Sequence, residues 1–451
     1  MRSIEQSCYW LATRVNTEPS PPLREDCKTE VAIIGAGFTG LWTAHFLKQL
    51  KPDLDIVVLE QGVVAYGGSG RNAGMISNCI DHSHGLAITH FGREEAQRLA
   101  QIGLQNIDEL ADYASDCDFE RTGQLQVALT QAHMEECQRN AAVARDLGID
   151  GYRILSAEAV RREIDSPLYL GGLFVPGTGI INPVKLADKL KNENQRAGVR
   201  LFEQTQVLEI KEASARTRDG SVSAGTIILA TDAYTHHLFP HLLWHFIPLY
   251  DYILVSEPLT PEQRAAIGWR NRQGVLDGRT FFNYYRLTAD DRILWGTSEA
   301  MYYPPNRVDD SCDHSERHYA GLRASFRRHF PQLANLQFPY QWGGPIASTT
   351  RLTPFFGTLE NGRILYALGY TGHGIGSTRL AGRILAHMAL SRPSELLSLK
   401  MVTSKPFPYP PEPLRSLAVR AITGSLQQVD AGRRPNLLLR LLDAFGIGFS
   451  S

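Results

Sequence analysis

The sequence predicts an α/β protein, α+β overall, in which a discontinuous Rossmann-like domain carries an inserted antiparallel-sheet domain. Three observations lead there. Residues 31–40 read VAIIGAGFTG and residues 56–60 read IVVLE: a buried strand, a glycine-rich turn, a helix start, and a second strand ending in an acid. Pieces that alternate strand and helix in the same way recur near 150–240 and 340–395, with β-rich stretches between them. A GxGxxG pattern occurs once, so a single bound dinucleotide is expected, near the N-terminus. In that pattern Gly35 makes the turn, Gly37 lets the backbone approach a pyrophosphate, and Gly40 lets the helix pack on the strand. The helix N-terminus stabilises phosphate charge, and Glu60 is placed to hydrogen-bond an adenosine ribose.

The chain is long enough for two or three domains at 451 residues. It is 43% hydrophobic and 21% charged, ordinary for a protein that buries a large core. A net charge of −1 gives no bulk attraction to nucleic acid, and none is expected as a partner. Apolar runs are too short to span a bilayer and no signal peptide is visible. The six cysteines form no CxxC pair, which suits a reducing compartment; a cytoplasmic protein is expected. His82-Ser83-His84 and His236-His237 lack the spacing of a metal motif, so no metal is expected.

In chain order, residues 1–28 are polar and proline-bearing and read as a surface arm anchored by Tyr9-Trp10-Leu11. Residues 29–85 form the first Rossmann piece. Glu94 to Ala114 has helical apolar spacing, Gly123 to Thr130 alternates like a strand, and Gln131 to Leu147 is a second helix. Leu170 to Val175 is a strand, and Asn182-Pro183 starts a helix running to Arg196. Val199 to Ile210 and Ser221 to Ala230 are strands about a turn at Asp219-Gly220. Residues 245–300 are β-rich, with a hairpin at Asp290-Asp291. Ser315 to Phe330 is a charged helix, Tyr340 to Ala347 a strand, and Arg363 to Ala367 a buried strand. The glycine-rich turn 369–376 then leads into a helix at Thr378 to Ser391. The expected division is therefore 29–85, 150–240 and 340–395 for the cofactor domain, 86–149 and 241–339 for the substrate domain, and 396–451 for a tail.

Two further glycine clusters belong with the first. Gly67 to Gly74 (GGSGRNAG) offers backbone N–H groups to anionic oxygens, with Ser69 and Arg71 as added donors. Gly369 to Gly374 (GYTGHG) precedes a helix whose positive N-terminal end suits the negative edge of a reduced flavin. His373 is expected beside that ring as a structural and electrostatic group, not as a base.

Together VAIIGAGFTG, GGSGRNAG, NYYRLTADDRILWG, WGGPIASTTRLTPFFG and GYTGHGIGSTRLAGRILA resemble the FAD-dependent D-amino-acid oxidase/glycine oxidase superfamily, and within it the γ-glutamylputrescine oxidases, over about residues 8–395. The resemblance implies FAD in an extended pose. Gly35, Gly37, Phe38, Thr39, Gly40, Glu60 and Gln61 would hold the ADP half, and Val207 and Ala230 would border the adenine side. Ser69, Arg71, Asn72, Ala73, Gly74 and Met75 would hold the pyrophosphate and approach the flavin, which Gly343, Gly369, Gly372, His373 and Gly374 would surround. The family's SGRNGG stands here as SGRNAG; Ala73 is tolerable unless its backbone needs positive φ. No cysteine lies in residues 340–380, so non-covalent FAD is expected. The segment 414–449 looks more like flavoproteins associated with aminophosphonate breakdown, which puts a polyamine substrate in doubt.

The chemistry implied is oxidation of a C–N bond in a small primary or secondary amine. Hydride moves to flavin N5, and the imine hydrolyses to an aldehyde, with oxygen or another acceptor taking the electrons. Substrate contacts are expected from Phe282, Tyr284 and Arg286 on one strand face, from Trp342 and Arg351, and from Tyr250 and Tyr252. The two arginines suggest an anionic amine, such as γ-glutamylputrescine or an aminophosphonate. Alternatives are an amino- or hydroxy-acid dehydrogenase passing electrons to a quinone, its tail (Arg433, Arg434, Arg440 with Leu437 to Leu442) on a membrane, and a non-catalytic flavin-binding subunit. An NAD-dependent dehydrogenase would leave the GYTGHG turn without a role. Membrane contact is not expected, because such tails more often pack on their own protein.

Overall fold

Residues 31–34 and 56–59 are apolar without alternation because both faces of their strands are covered. The structure is a computed structural model that describes residues 3–15, 18–444 and 446–447. Cys27–Ile34 sits inside an eight-stranded sheet, parallel to Ile56–Leu59 on one side and to Ser221–Leu229 on the other. Arg200–Phe202 and Ile364–Leu368 extend the parallel part outward, and Phe355–Leu359 closes one edge antiparallel. Helices Phe38–Leu50, Pro183–Arg196 and Gly374–Ala389 cover one face through Leu41, Trp42, Leu186, Leu190, Ile384 and Leu385. The other face packs Ala32, Ile34, Val57 and Leu59 against Val222, Phe246 and Tyr366.

A second eight-stranded sheet runs in the order Tyr340–Ser348, Ile247–Pro258, Arg292–Met301, Asn283–Leu287, Gly274–Asp277, Gln124–Ala128, Gly171–Val175, Arg153–Ser156. It is antiparallel except where Gly274–Asp277 runs parallel to Gln124–Ala128. Helix Glu316–His329 packs on one face, burying Tyr252, Tyr285 and Trp295 against Phe326 and Phe330. The expected α/β, α+β overall architecture is thus present. The second sheet takes in 153–175 and 340–348, so the change of sheet falls inside the expected 150–240 and 340–395 pieces.

Two elements differ from expectation. Val199 to Ile210 is not one strand: pairing stops after Phe202, where Gln204 takes φ 53° and the Glu203 carboxylate accepts the N–H groups of Ser20 and Val64 at 2.6 Å each. A buried carboxylate that draws in three segments ends the ladder there, since Lys191 also pairs with it. The helix expected at Thr378 to Ser391 begins at Gly374 instead and ends at Ala389. Hydroxyls of Ser377 and Thr378 bond back to the His373 and Gly374 carbonyls at 2.6 Å, and packing outweighs the poor helix propensity of Gly374 and Gly376.

Tyr9, Trp10 and Leu11 anchor the N-terminal arm, buried with Ile253, Leu294 and Trp342. The tail forms helices Leu414–Asp430 and Leu437–Ala444. Leu437, Leu438, Leu441, Arg433, Arg434 and Arg440 are exposed, and the end of the expected tail (445 and 448–451) lies outside the described residues. Among the described residues no helix is long and apolar enough to cross a membrane.

Candidate cofactor and substrate site

The ends of the parallel strands and the start of the first helix enclose a cavity of about 180 Å³ lined by Gly35, Gly37, Phe38, Thr39, Glu60 and Gln61. Gly35 has φ +103°, and a Cβ there would stand 2.7 Å from the Ala230 carbonyl oxygen, so only glycine makes this turn. A Cβ on Gly40 would stand 2.0 Å from the Gly35 carbonyl oxygen; this residue does not line the cavity but sets how closely helix and strand approach. Glu60 accepts the N–H groups of Ala36 (2.8 Å) and Gly62 (2.9 Å), which orients its carboxylate at the cavity wall. Burial pushes its carboxyl above the usual range. Val207 and Ala230 also line this cavity, but Val207 does so from the link between short strands, not from a strand pair.

Ser69 lies across from Gly37, and its Oγ accepts the Phe38 N–H at 2.8 Å. This ties the second glycine cluster to the first helix. Asn72 folds back on the Gly68 and Ser69 carbonyls and accepts the Gly74 N–H (2.8 Å). Gly74 has φ +68°, whereas Ala73 is not among the positive-φ residues, so its methyl costs no backbone strain. Arg71 is buried, paired to Asp313 at 2.6 Å and bonded to the Tyr66 carbonyl at 2.7 Å. Its Nη2 is buried without a protein partner. A tight glycine turn and a helix N-terminus suit a diphosphate, the oriented acid suits an adenosine ribose, and the orphaned guanidinium nitrogen awaits an acceptor, so these residues fit FAD.

A larger cavity of about 540 Å³ adjoins the first and shares Gly68, Asn72, Pro345, Ile346, Gly372 and Ile375 with it. Arg71, Ala73, Met75 and His373 line it. The His373 ring packs edge-on against His82 with centroids 4.2 Å apart, and burial lowers its pKa. Gly343 and Gly369 do not line either cavity. A Cβ on Gly343 would meet the Tyr252 ring at 2.7 Å on the far side of the sheet, and Gly369 donates its N–H to Asp232 at 2.9 Å. Asp232, which also accepts from Ala347 (3.4 Å), ties the parallel sheet to the segments that carry Ala347 and Gly369.

Of the expected substrate residues, Phe282 and Tyr284 line the large cavity, and the others do not. On Ile247–Pro258 the cavity side is Ile247, Leu249, Asp251 and Ile253. Tyr250 and Tyr252 therefore face the opposite way, donating to the Asp309 (3.1 Å) and Cys312 (2.8 Å) carbonyls under helix Glu316–His329. Arg286 shares a face with Tyr284 but lies beyond the cavity, over Trp10 of the arm. It donates to the carbonyls of Gly74 and Ile181 at 2.7 Å and of Leu287 at 3.0 Å. Burial brings its pKa down to about 9. Trp342 is covered by the same arm and donates to the Arg71 carbonyl at 2.9 Å. Arg351 donates to Ser404 Oγ (2.8 Å) and to the Pro354 and Met401 carbonyls (2.9 Å each). Both arginines thus turn their Nη groups to the protein outside the cavity, Arg351 keeping only a buried Nε without a partner, so neither supports the expectation of an anionic substrate.

Other groups reach the cavity that spacing did not indicate. The loop after Met75 brings Cys79 and His84, with Asp81 behind them; one ligand atom from each of the three lies within 4.8 Å of the others, although no ligand motif exists in the sequence. The tail closes one side with Tyr409, Ala418, Val419, Ile422 and Leu426. Asp430, at the end of the first tail helix, accepts the N–H groups of Thr280 (2.7 Å) and Phe281 (2.9 Å) in the opposite wall. Asp430→Ala is expected to raise the dissociation constant of a cavity ligand about five- to tenfold with flavin content unchanged, from the usual worth of charge-assisted bonds. An unchanged constant would mean the tail does not hold this wall.

A family model described as DAO, FAD dependent oxidoreductase, matches residues 30–388. The chain is 29% identical over 410 residues to the γ-glutamylputrescine oxidoreductase of Escherichia coli (strain K12), covering 89% of this chain and 93% of that one. It is 30% identical over 418 residues to a probable oxidoreductase OrdL of Rhizobium meliloti (strain 1021), covering 90% and 93%. Among solved structures, glycine oxidase from Geobacillus kaustophilus superposes with a TM-score of 0.69 at 18% identity, over 82% of this chain and 97% of that chain.

Proposed function

Because the chain belongs to the DAO family of FAD-dependent oxidoreductases, we propose that it oxidises the C–N bond of a small primary or secondary amine. The observation that carries this reading is the large cavity, which shares six lining residues with the cavity over the glycine turn and is walled by the open face of the second sheet. Its volume of about 540 Å³ suits a small molecule. On this reading the parallel sheet serves the cofactor, the antiparallel sheet the substrate, and the tail completes the wall.

Bound FAD would supply the hydride acceptor: the amine, once deprotonated, would give up a hydride from the carbon next to nitrogen and leave an iminium that water hydrolyses. The protein's own part is positioning and charge. Gly37, Ser69 and the helix N-terminus would receive the diphosphate, and Arg71 Nη2 would donate to an acceptor on the cofactor. Phe282, Tyr284 and the aliphatic row Ile247, Leu249 and Ile253 would hold the amine's carbon chain and exclude water. Burial holds the His82, His84 and His373 rings neutral near pH 7, so none adds a cation to the cavity.

The test is the visible spectrum of purified protein mixed anaerobically with γ-glutamylputrescine, 2-aminoethylphosphonate, sarcosine and D-amino acids. The expected result is bleaching of a yellow band by one class, and the response to readmitted air separates oxidase from dehydrogenase. Acid precipitation should leave the yellow colour in the supernatant, as non-covalent FAD requires. Colour retained in the pellet would point to a tether, for which Cys79 is the cavity-lining cysteine among the described residues. A protein that stays colourless with added FAD would defeat the assignment.

A further inference from the structure

We propose that Asp251, held by Tyr284, is the counter-ion of the substrate, so that the cavity selects an amine that enters as an ammonium cation and rejects anionic amines. The inference rests on the cavity being the substrate site and deepens that reading.

Among the described residues lining the large cavity, Asp251 is the only carboxylate. Its Oδ1 accepts the Tyr252 N–H at 2.8 Å and its Oδ2 the Tyr284 hydroxyl at 2.5 Å, so each oxygen keeps a lone pair for a further donor. Among the described residues, the only Arg or Lys side chains in the same wall are Arg71 and Arg415. Arg71 is paired to Asp313 through Nη1, and its remaining donor, Nη2, is the one that would donate to the cofactor. Arg415 donates to the Pro410 carbonyl (3.0 Å), Asn306 Oδ1 (2.6 Å) and the Leu243 carbonyl (2.7 Å) and is satisfied by the protein. With FAD bound on Arg71 Nη2, an anionic group would therefore find no free cation among the described residues of this wall, whereas an ammonium would find one oriented carboxylate. Burial raises the Asp251 carboxyl to about 7, and a bound ammonium would favour its ionised form.

The geometry is built across three strands. Tyr284 pairs with Gly296, and Gly296 pairs with Ile253 on the strand that carries Asp251. To reach Asp251 the Tyr284 side chain must cross the intervening strand. A Cβ at Gly296 would stand 2.2 Å from the Tyr284 ring, so glycine there is what lets the ring lie over the strand. The same contact orients the phenol toward the carboxylate, which fixes Asp251 before any ligand arrives.

The test is titration calorimetry of the FAD-loaded protein near neutral pH with 1,4-diaminobutane and with 2-aminoethylphosphonate. The expected result is tighter binding of the diamine, weakened about ten- to a hundredfold in Asp251→Asn, as loss of a charged hydrogen bond implies, and about two- to tenfold in Tyr284→Phe. If Asp251→Asn does not fold, Tyr284→Phe carries the comparison. Unchanged diamine affinity in the variants, no diamine binding, or tighter binding of the phosphonate would overturn the proposal. Flavin colour in the same cell separates the two claims. Bleaching by an anionic amine would keep amine oxidation and remove this inference. Binding that depends on Asp251 without bleaching by any amine would keep this inference and remove the oxidation.

Discussion

Arg71→Met is expected to yield protein that neither retains FAD nor keeps its stability. The substitution leaves Asp313 buried and unpaired, and breaking one side of a buried ion pair costs about 3–5 kcal/mol. It also removes Nη2, the buried donor without a protein partner, so cofactor binding loses a contact that the protein itself does not use. The two effects can be separated. Adding Asp313→Leu should recover most of the stability in denaturant titration, because no lone charge then remains, while the ratio of flavin to protein absorbance stays low. If the double variant binds FAD normally, Arg71 serves only to satisfy Asp313.

Gly40→Val is the second large effect. A Cβ there would stand 2.0 Å from the Gly35 carbonyl oxygen, and that oxygen belongs to a turn already fixed by its φ of +103°. Neither partner is a flexible side chain, so the helix must move off the strand. Overpacking usually costs about 1–3 kcal/mol and more where backbone cannot yield. Colourless or insoluble protein is the expected outcome. Gly424→Ala is the matched control: nothing lies within 4 Å of its Cβ, and a helical alanine should add about 0.5–1 kcal/mol. Yellow, stable Gly40→Val protein would show that the close approach is not needed for the cofactor cradle.

The cofactor half was legible because its information is local. Gly35, Gly37 and Gly40 act through backbone conformation and contact distances set within about ten residues, and the apolar runs at 31–34 and 56–59 announce strands covered on both faces. Ser69 and Arg71 are indicated by the same logic, Asn72 only by the family resemblance. The substrate half was legible only in part. Alternation placed Phe282 and Tyr284 on one face and Tyr285 on the other, as found, but alternation does not say where a face stops being cavity. The N-terminal arm covers the end of that face, which puts Arg286 and Trp342 under Trp10 instead of in the cavity. On Ile247–Pro258 the tyrosines suggested the wrong side, because helix Glu316–His329 buries the aromatic face and leaves the aliphatic one open.

By itself the sequence determined the dinucleotide cradle, the order of strands and helices, and the pairing of a Rossmann-like unit with an antiparallel sheet. Those follow from glycine conformation, apolar periodicity and turn residues, all short-range properties. Only the tertiary structure decided which face of each strand meets the large cavity, that Arg286 and Arg351 turn to backbone carbonyls outside it, and that Asp251, Asp313, Asp232 and Asp430 sit where its walls join. Each of those acids acts on a partner far away in the chain or on another strand. An isolated Asp carries no sign of its partner until packing removes water from around both and leaves hydrogen bonds as the only way to satisfy them.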